Sequence, residues 1–168
     1  EEIQLYAFDL DGTLLDTAPD FFYAVNKLRE ANGLGAGDFS EVRSRVSQGA
    51  ASLARYSLNW DVNQKQEIEK SRLELLEIYE KCCLGAELFD GMSEVLINLN
   101  EKNKNWGIVT NKPRKYAEQI VNKKLSSINP HFLICPDDVG ERKPSPKGLK
   151  LACELTNVSS KNSIYIGD

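Results

Sequence analysis

Asp9 and Asp11 stand two residues apart at the end of a short apolar run formed by Ile3, Leu5, Tyr6, Ala7 and Phe8, and Gly12 follows them. Residues two apart in an extended segment point to the same side, so the two carboxyl groups can converge on one ligand. Carboxylates that close repel each other unless a cation or a shared proton intervenes, which favours a hard ion such as Mg²⁺ with oxygen ligands. Beside such an ion one carboxylate can attack phosphorus to give an aspartyl-phosphate, and the other can protonate the leaving alcohol. An isolated Asp-x-Asp-Gly also suits a plain turn. An EF-hand calcium loop does not fit, because its glycine occupies the sixth loop position after a helix, whereas Gly12 is fourth counting from Asp9 and follows a strand.

Three more residues have the right chemistry at the right kind of place. Thr110 ends the apolar run that begins at Trp106, just before Pro113 opens a helical stretch. Its hydroxyl and the neighbouring N–H groups can face an anion, or can simply cap the helix. Lys143 lies in the Pro-punctuated segment Arg142-Lys143-Pro144-Ser145-Pro146, where an ammonium can offset carboxylates and phosphate oxygens or stay solvated. Asp168 follows the apolar residues 164–166 and Gly167, a position open to a metal ligand or to a turn former.

In this order and spacing, Asp9-x-Asp11-Gly12-Thr13, the run Trp106-Gly107-Ile108-Val109-Thr110-Asn111, Lys143, and Ile164-Tyr165-Ile166-Gly167-Asp168 resemble the four motifs of the haloacid dehalogenase superfamily of phosphatases. The resemblance implies Asp9 as nucleophile and Asp11 as the acid, then base, of the two half-reactions. It implies Thr110, Asn111 and Lys143 on the phosphoryl group, and Mg²⁺ held by the Asp9 carboxylate, the Asp11 backbone carbonyl and Asp168. The family's fourth motif continues to a further acidic residue after Asp168. The expectation is therefore that the C-terminal part of the core is missing, which leaves residues 164–166 on an exposed sheet edge that invites pairing. The opening Glu1, in place of Met, agrees with a fragment.

Residues that converge in this way need a scaffold, and the patterning supplies one. Helical stretches near residues 92–102, 116–124 and 147–156 alternate with strands into Thr110, at 131–135 and at 164–166, which is a doubly wound α/β order. The predicted fold is a Rossmann-like parallel sheet core, residues 1–16 and 89–168, with an inserted helical cap over residues 17–88. Asp16-Thr17 and residues 85–89 are expected as hinge linkers. Within the cap, Pro19, Phe22, Val25, Leu28 and Arg29 predict an amphipathic helix closing at Asn32-Gly33. Ile68, Leu75, Leu76, Tyr79 and Cys83 predict the apolar face of a longer one. Gly33-x-Gly35-x-Gly37 follows a helix and reads as a loop rather than a dinucleotide site.

The cap should carry substrate choice. The stretch 46–53 resembles the cap loop of phosphoglycolate phosphatases with Ser47 in place of the first glycine, so Ser47, Gln48, Gly49 and Arg55 are the specificity candidates, with Arg43 and Arg45 available to a carboxylate. Segments 89–92, 106–113 and 133–137 also resemble the branch that dephosphorylates N-acetylmuramic acid 6-phosphate. Phosphoglycolate-type hydrolysis is the first expectation and the amino-sugar phosphate its rival, with a phosphosugar mutase and a noncatalytic binding module as the other classes. Net charge of -4 argues against a nucleic-acid surface, and the basic cluster 112–115 reads as helix-surface charge. The apolar runs are too short to span a bilayer. Cys82, Cys83, Cys135 and Cys153 contain no Cys-x-x-Cys pair, and with a single histidine, His131, a zinc site is not expected. The partner predicted is a small phosphorylated metabolite in the cytoplasm.

Overall fold

The computed structural model describes residues 2–82 and 85–167; the expectations placed on Cys83 and Asp168 lie outside those residues. The chain forms two compact units, one of Glu1–Asp16 with Glu87–Asp168 and the other of Thr17–Ala86. The first holds β1 (Leu5–Phe8) and β2 (Leu15–Asp16). The second follows with α1 (Ala18–Ala31), α2 (Phe39–Arg43), α3 (Ala50–Leu58) and α4 (Lys65–Glu80). The chain then returns to the first unit through β3 (Glu87–Leu88), α5 (Met92–Glu101), β4 (Asn105–Val109), α6 (Arg114–Lys124) and β5 (Leu133–Ile134). It closes with α7 (Pro136–Val139), α8 (Lys147–Thr156), a 3-10 turn at Ser160–Asn162 and β6 (Ser163–Ile166).

In the first unit β1 is flanked in parallel by β4 and β6, with Phe8 opposite both Ile108 and Ile166, and β5 lies outside β4. This is the predicted α/β parallel sheet. Alternation of side chains along β1 and β4 sorts them onto two faces. Leu5, Ala7 and Val109 are buried with Phe132, Ile134 and Ala152 of α8. On the other face Phe8 meets Trp106 edge-on at 6.3 Å. The fully buried Trp106 donates its ring N–H to Asn100 Oδ1 of α5 at 2.7 Å, so α5 covers the face opposite α8. Gly107 faces the ring of Phe132, which would lie 2.6 Å from a Cβ there; only glycine lets the chain pass so close.

The strand expected at 131–135 is shorter at its end. Phe132 still accepts from Ile108 N–H at 2.9 Å, but Cys135 turns into α7 with Pro136 at its first position, and Cys135 N–H goes to Asp138 Oδ2 at 2.7 Å. The β6 strand is the outermost on its side among the described residues, and Ile164 is 43% exposed. At the expected linkers, Asp16-Thr17 and residues 85–89, the chain forms a short antiparallel ribbon, Leu15 opposite Leu88 and Asp16 opposite Glu87.

The second unit is helical. Phe21, Ala24, Val25 and Leu28 form the buried stripe of α1, and Phe21 stacks on Tyr79 of α4 at 4.1 Å between ring centroids. Leu75, Leu76 and Tyr79 are the buried positions that the α4 pattern predicted, whereas Ile68 is only half-buried. Phe22 lies at the rim, edge-on to Phe39. Asn32 and Gly33 close α1 through N–H bonds to Arg29 and Glu30 carbonyls, so the glycine-spaced segment is a helix end.

Candidate active site

Asp9 is the first residue beyond β1 and Thr110 the first beyond β4, two neighbouring parallel strands, so both stand at the carboxyl edge of the sheet. In open parallel sheets that edge is where ligands bind. Past Asp9 the chain folds back tightly. Leu14 and Leu15 N–H groups bond the Leu10 carbonyl, Gly12 N–H bonds the Leu15 carbonyl at 3.0 Å, and Gly12 takes the left-handed φ of +80°. The fully buried Leu10 pins the turn and leaves Asp9 and Asp11 on the outside of it.

Each carboxylate has an ammonium. Asp9 Oδ1 accepts from Leu10 N–H at 2.7 Å, and its Oδ2 lies 2.8 Å from Lys143 Nζ, with both side chains about four-fifths covered at 15% and 17% exposure. Asp11 Oδ1 lies 2.9 Å from Lys112 Nζ, whose side chain is 4% exposed. Lys143 also donates to the Val109 carbonyl at 3.0 Å and to the Tyr165 hydroxyl at 2.5 Å. Asn111, expected on phosphate, grips the Lys143 backbone from both directions: its Oδ1 accepts from Lys143 N–H at 2.7 Å and its Nδ2 donates to the Lys143 carbonyl at 3.2 Å. Thr110 is 3% exposed and its Oγ1 accepts from Lys112 N–H at 3.1 Å, an arrangement that leaves its hydroxyl proton to donate.

The structure therefore brings Asp9, Asp11, Thr110, Asn111 and Lys143 together in the first unit. Two partners were not recognised from sequence. Lys112 sits in a run of basic residues, which reads as surface charge; its place two residues after a strand-ending Thr is the signal that sets it apart. Tyr165 lay inside an apolar strand run, where nothing distinguished its hydroxyl.

At the end of β5, Arg114 of α6 pairs with Asp138 at 2.5 Å and donates to the Leu133 carbonyl at 2.8 Å. Burial pushes the Asp138 carboxyl up, but the Arg114 guanidinium and Cys135 N–H outweigh it and hold the group below its ordinary value. Burial pushes the Cys135 thiol up to about 12, against the opposing pull of Arg114.

The specificity candidates lie in the second unit. Gly49 precedes α3. Gln48 donates to the Ser44 carbonyl and accepts from the Ser52 hydroxyl, while Ser47 is exposed. Arg45 pairs with Glu41 at 2.6 Å and lies over Tyr56, and Arg43 lies over Phe39. Arg55 is half-buried and lines, with Arg45, Tyr56 and Trp60, an open cavity of about 370 Å³.

The fold agrees with the comparisons. The model of the haloacid dehalogenase-like hydrolase family matches residues 6–168. An N-acetylmuramic acid 6-phosphate phosphatase of Pseudomonas putida is 39% identical over 162 residues, which are 96% of this chain and 72% of that protein. A phosphoglycolate phosphatase of Xanthomonas campestris pv. campestris is 37% identical over 164 residues, again 96% and 72%. The crystal structure of a predicted phosphoglycolate phosphatase from Haemophilus somnus superposes with a TM-score of 0.84 at 23% identity, covering 100% of this chain and 78% of that one. The chain belongs to the haloacid dehalogenase-like hydrolases, and within them to the phosphatase type. Among the described residues no helix is long and apolar enough to cross a membrane.

Proposed function

We propose that this chain carries the catalytic site of a phosphomonoester hydrolase working through an aspartyl-phosphate on Asp9. The observation that carries the reading is the two matched pairs, Asp9 with Lys143 and Asp11 with Lys112, at the carboxyl edge of the sheet. Lys143 lowers the repulsion between the Asp9 carboxylate and an incoming phosphate. An Asp9 oxygen forms the new bond to phosphorus as the bond to the leaving oxygen breaks, and Asp11 delivers a proton to that oxygen. Asp11 then takes a proton from the water that hydrolyses the acyl phosphate. The Thr110 hydroxyl and Lys143 hold the transferring group, whose charge they partly balance.

The donor set suits a hard divalent ion. With Asp11 carrying the proton it delivers, the Asp9 carboxylate and two ammonium groups sum to one positive charge, so a phosphate dianion arrives only half compensated, and Asp9 keeps about two of its four acceptor sites beyond its bonds to Leu10 and Lys143. Among the described residues no group of three or more acidic, His or Cys side chains is gathered, so Asp9 and Asp11 provide part of a shell. Mg²⁺ would be held by the Asp9 carboxylate, the Asp11 backbone carbonyl and Asp168, and when bound it supplies charge neutralisation at the phosphoryl oxygens.

The substrate class is a small phosphomonoester that also carries a carboxylate. N-acetylmuramic acid 6-phosphate comes first, supported by the Pseudomonas relatives at 39% identity and by Ser47 in the cap loop. The second reading is 2-phosphoglycolate, the first expectation from sequence, supported by the relatives at 37% identity. Specificity through the helical unit acting as a cap, with Ser47, Gln48, Gly49 and Arg55 contributing, belongs to the same proposal. So does a cytoplasmic setting, which the free thiols of Cys135 and Cys153 support. The test is kcat/KM for the full-length protein on both esters with Mg²⁺ and after its removal by EDTA. The sugar phosphate should give the larger value, turnover should disappear with the metal, and Asp9→Asn should abolish release of phosphate from either ester. Turnover by Asp9→Asn would remove the nucleophile assignment.

A further inference from the structure

Lys112 is the most enclosed charged side chain in the first unit's site, with only 4% of it exposed, and its ammonium contacts Asp11 Oδ1 at 2.9 Å. Its backbone is held as firmly as its head group. Lys112 N–H bonds the buried Thr110 hydroxyl oxygen at 3.1 Å, and Pro113 follows with a fixed φ of -57° before α6 begins. The stem is therefore anchored at the end of β4 and the charge is delivered to a residue on the β1 turn. A group this covered is poorly placed to meet a substrate directly. One group its ammonium touches is a carboxyl whose turn is itself pinned by Leu10.

A carboxyl group has two oxygens, and an acid–base role needs one of them aimed at the leaving oxygen. The Lys112 contact engages Oδ1, which leaves Oδ2 to handle the proton. We infer that Lys112 is a positioning residue: it fixes the rotation of the Asp11 carboxyl group, selects Oδ2 for proton transfer and thereby governs protonation of the leaving alcohol. The inference rests on the reading of Asp9 as nucleophile and Asp11 as acid. Without the ammonium the carboxyl group can turn, and the acid is present but misaimed, which costs rate in proportion to how much the leaving group needs a proton.

Leaving-group dependence separates this role from a merely structural one. For the full-length protein with Mg²⁺, kcat/KM reports the steps up to departure of the leaving group, and is measured on p-nitrophenyl phosphate, whose phenolate leaves unassisted, and on N-acetylmuramic acid 6-phosphate, whose alkoxide needs a proton. Lys112→Met and Lys112→Gln should lose on the order of 10²-fold on the alkyl ester and less than about tenfold on the aryl ester, in the range of general acid catalysis. Asp11→Asn should show the same selective loss, and Lys112→Arg should recover part of the alkyl activity. Equal losses on both esters, or no loss, in a folded Lys112 variant would overturn the inference. Failure of the parent reading looks different: Asp9→Asn would keep turnover, or Asp11→Asn would lose equally on the two esters.

Discussion

The Lys143 ammonium lies 2.8 Å from Asp9 Oδ2, so the lysine of the Pro-punctuated loop reaches back to the first strand of the sheet and neutralises the residue proposed as nucleophile. Its other donors reach the Val109 carbonyl and the Tyr165 hydroxyl. An ammonium has three protons, so Lys143 is aligned from three directions before any phosphate arrives. In the proposed mechanism it acts first on Asp9, and on the phosphoryl group as Asp9 receives it.

Removing this ammonium leaves a carboxylate of 15% exposure without its counter-charge. Lys143→Met should lower kcat by about 10²–10³-fold, the loss typical of a deleted electrostatic stabiliser, and lower the unfolding free energy by about 3 kcal/mol. Tyr165→Phe removes only one acceptor and should cost about 1 kcal/mol. Steady-state kinetics and urea denaturation measure both, and a Lys143→Met enzyme with undiminished kcat would contradict this placement of the lysine.

Asn111 holds the backbone that carries Lys143 through two hydrogen bonds. Asn111→Ala should destabilise the protein by about 1–2 kcal/mol and reduce kcat, while inhibition by inorganic phosphate changes little. A large rise in the phosphate inhibition constant would instead place the amide on the ligand.

Gly107→Ala sets a methyl group against the Phe132 ring, where the nearest carbon would be 2.6 Å away. Phe132 is buried in the core cluster and has little room to retreat. Overpacking of this kind should cost about 1–3 kcal/mol. Pairing Gly107→Ala with Phe132→Leu should restore part of that loss, and additive effects in the double variant would refute the steric account.

The thiol of Cys135 and the carboxylate of Asp138 give opposite pH limits. Burial raises the Cys135 thiol to about 12, so the folded state keeps its proton longer than the unfolded chain does. Stability from this group is complete below the ordinary thiol range and falls between about pH 9 and 12, by up to about 1.4 kcal/mol per unit. Burial acts to raise the Asp138 carboxyl too, but Arg114 and Cys135 N–H hold it low, so its contribution is present at neutral pH and lost on acidification through its folded value. Urea titrations across pH should show Cys135→Ala flattening the alkaline limb and Asp138→Asn the acid limb. Iodoacetamide at pH 8 should spare Cys135.

Much of the site was legible because its chemistry sits at strand ends. Asp9, Asp11, Thr110 and Lys143 could be placed from apolar runs followed by breakers, and the sheet then had to gather them. Lys112 was not legible, since a basic cluster usually faces solvent and only the turn after Thr110 directs this one inward. Asn111 had the right address, but nothing local indicates that its amide reaches 32 residues along the chain. Helix limits followed the sequence pattern closely in α1 and α8, whereas α4 ends at Glu80, short of the Cys83 position expected on its face. The two-residue strands did not, because a pair such as Leu15-Asp16 carries no periodicity and exists only through its partner.

That short ribbon sets how the gene for this chain can be edited. Asp16 and Glu87 are direct partners in an antiparallel pair, so the chain leaves and re-enters the first unit at points one hairpin width apart. Residues 17–86 thus form a cassette: a two-residue Asn-Gly turn can bridge the ends, and a foreign domain with adjacent termini can be spliced into the same seam without lengthening either strand of the sheet.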